Sequence, residues 1–185
     1  MKHRRAALVL ALSCVWFSAA SAWPVSRDPA AVKAMSGGVL TRAELYTIYA
    51  GKTWHWKDGA AYFAEQGQKF EAWLREADGP SYADGSWSVS DNGQLCIRAT
   101  WHSLGQSTDT FTCYVHRRSS AIYQQELPAG QWYLFGHVPP QPGDEIGKIT
   151  LGDEVSAEYL KIKNAITPPR HVRSKRKARR SAPKH

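Results

Sequence analysis

Lys52-Thr53-Trp54-His55-Trp56-Lys57-Asp58-Gly59-Ala60-Ala61-Tyr62-Phe63-Ala64 is the stretch on which the fold turns. Over Lys52–Lys57, polar and aromatic residues alternate, a period of two that puts both indoles on one face of a strand. Asp58-Gly59 is a hairpin turn signal, and Ala61–Ala64 brings the chain back. Two antiparallel neighbours sharing an aromatic face are predicted.

Immediately upstream the period is helical. Thr41-Arg42-Ala43-Glu44 is a capping box, in which the Thr41 hydroxyl accepts from the Glu44 backbone N–H and the Glu44 carboxylate reaches back to Thr41. Leu45, Ile48 and Tyr49 share one stripe, Leu40 stands ready to staple the first turn, and Gly51 ends the run. One short amphipathic helix over 41–50 is expected.

Downstream, strand patterns recur between turn signals. Gly67 turns into Lys69–Leu74, and a stretch rich in Gly, Pro, Ser and Asp (Asp78–Asp84) reads as a loop. Ser86–Ser90 follows with Trp87 and Val89 on one face. Asp91-Asn92-Gly93 turns into Gln94–His102, a link over Ser103–Asp109 leads to Thr110–Arg117, and Ala121–Leu127 and Trp132–Val138 complete the series. Pro139, Pro140 and Pro142 end it, and Ser156–Asn164 reads as a last short helix or strand. Local turns between strands of this length describe an antiparallel meander. A meander so long closes into a barrel or folds into a sandwich, because its edges otherwise stay exposed.

The chain opens with Lys2, Arg4 and Arg5 ahead of an apolar run from Ala6 to Phe17, then Ala20-Ser21-Ala22. This is the pattern of a cleavable signal peptide over 1–22, the run being shorter than the roughly 20 residues a spanning helix needs. An uncleaved anchor, or a lipidated Cys14, are the other readings of the same stretch. Export to the periplasm or beyond is expected, with no transmembrane segment after cleavage.

Charge is segregated along the chain. The net charge of +8 arises from three basic residues in 1–22 and eight in 170–184; the body between holds thirteen Lys and Arg against all sixteen Asp and Glu, a net of −3. The run 167–185, with Arg173, Lys175, Arg176, Lys177, Arg179 and Arg180 at its centre, has almost no apolar residues and should be a disordered basic tail. It suits polyanions. Outside the cytoplasm these are anionic lipid or acidic polysaccharide, with nucleic acid relevant only inside a host cell, where the run would also read as a nuclear signal. A solubilising tail without a partner is the plainer alternative. The resulting division is a signal peptide at 1–22, a lead at 23–39, a barrel domain at 40–166 and the tail.

Once Cys14 leaves with the signal, Cys96 and Cys113 remain, an even count that argues for one disulfide in an oxidising compartment. If a tight turn centres on Leu104-Gly105, the two cysteines face each other on adjacent strands. Two buried free thiols are the alternative.

No G-x-S-x-G elbow, H-E-x-x-H, phosphate loop or dinucleotide fingerprint occurs. His55, His102, His116 and His137 lie on different strands at no metal-binding spacing, so no metal, cofactor or catalytic residue is assigned. Convergence of histidines and acids in a cleft would instead indicate a hydrolase of an envelope polymer. Tryptophan is the informative residue. Trp54, Trp56, Trp73 and Trp87 are the candidate ligand-binding residues, since a small barrel can hold one ligand in its mouth and an aromatic wall suits an apolar molecule or a sugar. Core packing is the competing role for Trp54, Trp56 and Trp87. Trp73 shares a strand face with Glu71 and Arg75 and is expected at an exposed rim.

The order of helix, Gly51-Lys52-Thr53-Trp54, Gly59 with Tyr62-Phe63, Gly85-Ser86-Trp87-Ser88-Val89, Asp91-Asn92-Gly93, Leu95-Cys96 and Cys113-Tyr114-Val115 resembles a family of uncharacterised exported alphaproteobacterial proteins, the domain of unknown function 995. The resemblance covers roughly residues 40–135. It implies a lipocalin-like β-barrel, so the expected architecture is mainly β: an antiparallel meander closing into a small barrel, one short helix before it and the basic tail after it. No activity comes with the resemblance. The expected function is therefore non-enzymatic binding of a ligand or envelope component.

Overall fold

The computed structural model describes residues 28–167. The signal stretch, Trp23 and the basic tail from 168 onward lie outside the described residues.

The capping box forms as expected: Glu44 N–H donates to Thr41 Oγ1 (3.3 Å) and Thr41 N–H to Glu44 Oε2 (2.8 Å). The helix it starts, α2, runs Arg42–Tyr49 and stops at Gly51, whose φ of +67° only glycine adopts readily. An additional helix, α1 (Pro29–Met35), lies in the expected lead, capped by Asp28, and packs Ala34 against the barrel wall; strand β1 (Gly38–Val39) follows it.

The remaining strands are β2 (Lys52–Trp56), β3 (Gly59–Phe63), β4 (Lys69–Glu76), β5 (Gly79–Val89), β6 (Gln94–Ser103), β7 (Gln106–Arg118), β8 (Ala121–Leu127), β9 (Tyr133–His137) and β10 (Ile149–Leu151). Consecutive strands from β2 to β9 pair antiparallel in one sheet, β10 adds to the free edge of β2, and β1 pairs with β7 off the main path. The sheet curls into a half-barrel. Its ends, β10 and β9, are not paired with each other; the 3-10 turn Glu145–Lys148 sits between them. Asp144 anchors that crossing by accepting from the backbone N–H groups of His137 and Gln141 (2.8 Å each) and facing His137 Nδ1 at 2.7 Å. These bonds hold its carboxyl below the usual carboxylate range.

Two strands run longer than their composition suggests. β5 begins at Gly79, inside the stretch expected to be a loop. There it pairs only with β4, since pairing with β6 starts at Tyr82, so Pro80 removes no needed donor. β7 begins at Gln106 because the β6–β7 turn is tight, with Ser103 opposite Gln106. That register places Cys96 opposite Cys113, with Cα atoms 4.1 Å apart and the sulfurs bonded on the outer face of the sheet.

Ser156–Ile166 is a helix, α3, which lies across the outside of β3–β5. It covers Ala60, Tyr82 and Trp73 with Val155, Tyr159 and Ile162. Among the described residues no helix is long and apolar enough to cross a membrane.

The core is asymmetric along the barrel. At one end α2 plugs the sheet: Leu45 and Tyr49 are buried with Phe63, Trp87, Leu95 and Phe135. At the other, the β2–β3, β4–β5, β6–β7 and β8–β9 turns surround an open mouth.

Candidate functional site

The mouth leads into a cavity of about 750 Å³, within the size range of small-molecule sites. Alternation decides its lining. The even-numbered positions of β2 and β7 and the odd-numbered ones of β6 face inward, so Trp54, Trp56, Trp101, Ile97, Thr110, Thr112 and Tyr114 form the wall. Phe63 and Phe70 make its floor, and Glu126, Trp132, Tyr133 and Glu145 complete it across the β9–β10 gap.

Several of the aromatics are held by specific contacts. The Trp54 indole N–H donates to Glu145 Oε1 (3.0 Å), and its ring meets Tyr114 edge-on with centroids 5.8 Å apart. Trp56 lies against Gly59 on the neighbouring strand; a Cβ at residue 59 would come within 2.4 Å of Trp56 Nε1. Gly59, which opens β3 immediately after the Lys57-Asp58 turn, is thus the seat of an indole. Trp132 packs on its far side against the α1 cluster. Burial first, then the neighbouring Glu126, pushes the Tyr114 phenol up to about 12. Burial first, then the neighbouring Tyr114 and Glu145, raise Tyr133 further. Both phenols are neutral hydrogen-bonding groups near neutral pH.

Beneath the cavity lies a buried polar chain. The Tyr133 hydroxyl donates to Gln124 Oε1; Gln124 Nε2 is 3.2 Å from the Tyr49 hydroxyl, which is 2.8 Å from His116 Nε2. His116 Nδ1 faces the Gly93 carbonyl at 3.3 Å. A neutral imidazole protonated on Nδ1 satisfies every member, and burial holds His116 down to about 4. Gly93 has φ +73°, and a Cβ there would meet the His116 carbonyl at 2.6 Å, so the Asp-Asn-Gly turn is a fixed support of this chain.

Of the four candidate tryptophans, Trp54 and Trp56 line the cavity. Trp87 sits in the plugged end, 2 % exposed, with Nε1 donating to the Ala64 carbonyl at 3.0 Å. Trp73 is not at an open rim: α3 covers its face of β4. Trp101, Trp132, Glu126 and Glu145 were not singled out from the sequence. Trp101 was legible in principle, since it continues the inward positions Leu95, Ile97 and Ala99.

The histidines do not converge. His116 is buried in the chain just described, His55 faces Thr150 (3.0 Å) and Glu154 (3.5 Å), and His137 belongs to the Asp144 anchor. His102 lies between Asp84 (3.2 Å) and Ser107 (2.9 Å) on the outer face of β5–β7, its ring stacked on Tyr82. Ser107 pairs directly with His102 in the β6–β7 ladder. Among the described residues no group of three or more His, Cys, Asp or Glu could hold a metal.

Fold and cavity together define a small disulfide-linked antiparallel half-barrel with one deep aromatic recess. The chain belongs to the family described as Protein of unknown function (DUF995), whose model matches residues 11–155. The match extends well past the segment 40–135 that carries the resemblance in sequence. No curated protein and no solved structure matches the chain.

Proposed function

We propose that this protein is a non-enzymatic, lipocalin-like carrier that holds one small ligand in the aromatic mouth of the half-barrel. The observation that supports this most is the hollow upper half, walled by Trp54, Trp56 and Trp101, above a floor that is fully packed. Keeping indoles around open space forfeits packing contacts. Occupancy by a ligand recovers them.

A neutral hydrophobic fluorophore, N-phenyl-1-naphthylamine, tests the reading. Its emission is expected to rise on titration with the protein, and Thr112→Phe, which directs a ring into the cavity from β7, is expected to weaken the rise while leaving the melting temperature within a few degrees. An equal rise with the narrowed variant would place binding elsewhere and end this proposal.

Export and the tail belong to the same reading. A disulfide is compatible with an oxidising compartment. The run of Arg and Lys beyond residue 168 would hold the barrel near anionic lipid or acidic polysaccharide. The mature chain is expected to sediment with anionic vesicles at low salt and to lose this in high salt, and a chain ending at Thr167 is expected not to bind. Equal sedimentation of the two would remove the tail's role.

A further inference from the structure

We propose that the cavity's ligand is an organic cation, an ammonium or substituted amine carried on an apolar body. This rests on the carrier reading above and adds the sign of the ligand's charge.

The charged side chains lining the cavity are Glu126 and Glu145; no Lys, Arg or His lines it. Glu145 is partly neutralised, because Lys148 approaches it at 2.7 Å from the exposed side and Trp54 Nε1 donates to it. Glu126 is different: it is solvent-exposed at the mouth, and among the described residues no hydrogen bond or ion pair reaches its carboxylate. A carboxylate at the rim of an aromatic recess, free of a protein partner, can pair with a cationic occupant. Burial is the main cause that raises the Tyr114 and Tyr133 phenols, and Glu126 adds to both.

The aromatic wall acts in the same direction. Trp54, Trp56, Trp101 and Trp132 present indole rings, whose faces are negative and attract a desolvated ammonium group. An anion such as a fatty carboxylate would instead be brought out of water beside the Glu126 carboxylate with no Lys, Arg or His lining the cavity to compensate it, an arrangement that is costly. A neutral sugar would stack on the same rings but gain nothing from that carboxylate's charge.

One apolar chain with three head groups separates these cases: decyltrimethylammonium, decyl glucoside and decanoate, each titrated below its micelle concentration by calorimetry. The cation is expected to bind roughly tenfold tighter than the glucoside, with decanoate weakest. Glu126→Gln is expected to bring the three affinities together without lowering the melting temperature. If decyl glucoside or decanoate ranks first, or Glu126→Gln leaves the cation's lead intact, the charge assignment fails while the carrier reading stands. If none of the three binds, the carrier reading fails with it.

Discussion

Trp87→Ala is expected to cost about 3–5 kcal/mol of folding stability, whereas Trp56→Ala should cost about 1 kcal/mol or less. The two indoles come from the same composition signal and both face inward, but they stand at opposite ends of the barrel. Trp87 is 2 % exposed, meets Tyr46 of α2 and Phe63 of β3 at centroid distances of 5.7 and 5.8 Å, and satisfies the Ala64 carbonyl. Truncation opens a void where helix and sheet meet and leaves that carbonyl without its partner. Trp56 borders a space already open. In a domain of this size the Trp87 change should lower the melting temperature by on the order of 10 °C. Urea denaturation of both variants decides the matter: midpoints equally close to the parent's would contradict a filled floor beneath a hollow mouth.

Acidification is expected to destabilise the fold through His116. An ordinary imidazole takes up its proton near pH 6.5, but His116 resists to about 4 because charging it would place a cation in the buried chain with Tyr49, Gln124 and Tyr133. Its folded value is depressed, so the unfolded chain binds the extra proton first. The contribution is whole above pH 6.5, declines as pH falls, and is lost by about pH 4, a total of about 3 kcal/mol. The depressed carboxyls Glu44, Asp144 and Asp153 act in the same direction but lower, below the ordinary carboxylate values of 3.8–4.5. Stability measured from pH 7 to pH 4.5 should therefore slope downward in the parent and flatten in His116→Gln, whatever that variant's stability at pH 7. An unchanged slope would mean that native His116 is readily charged.

Much of the fold was legible locally. The capping box at Thr41 and the Leu104-Gly105 turn each depend on a few adjacent residues, and each forms as the sequence suggests; the hairpin signalled by Asp58-Gly59 also forms, but its turn is Lys57-Asp58, with Gly59 paired to Trp56 as the first residue of β3. Once the last of these turns is placed, the opposition of Cys96 and Cys113 follows by counting, because antiparallel register is set by the turn. Composition was a weaker guide. Gly79-Pro80-Ser81 reads as loop, yet it extends β5 where that strand has a neighbour on one side only. The lead before residue 40 contains α1 and β1, whose few residues become ordered by packing on β7 and β8 rather than by their own propensity.

Sequence by itself determined the antiparallel succession of the central strands, the register of the β6–β7 hairpin and the shared face of Trp54 and Trp56, since turn chemistry and a period of two act between near neighbours; the pairings of β1 and β10 came only from the fold. Tertiary structure alone decided which tryptophans meet a void. Alternation specifies a face but neither the height along the barrel nor what covers the outside: α2 fills the end where Trp87 lies, and α3, from far along the chain, covers Trp73. Glu126 and Glu145 reach one recess only because the sheet curls until β9 and β10 stand on either side of a single turn. Curvature of that kind is a property of the whole sheet, accumulated strand by strand from its twist, and no single segment carries it.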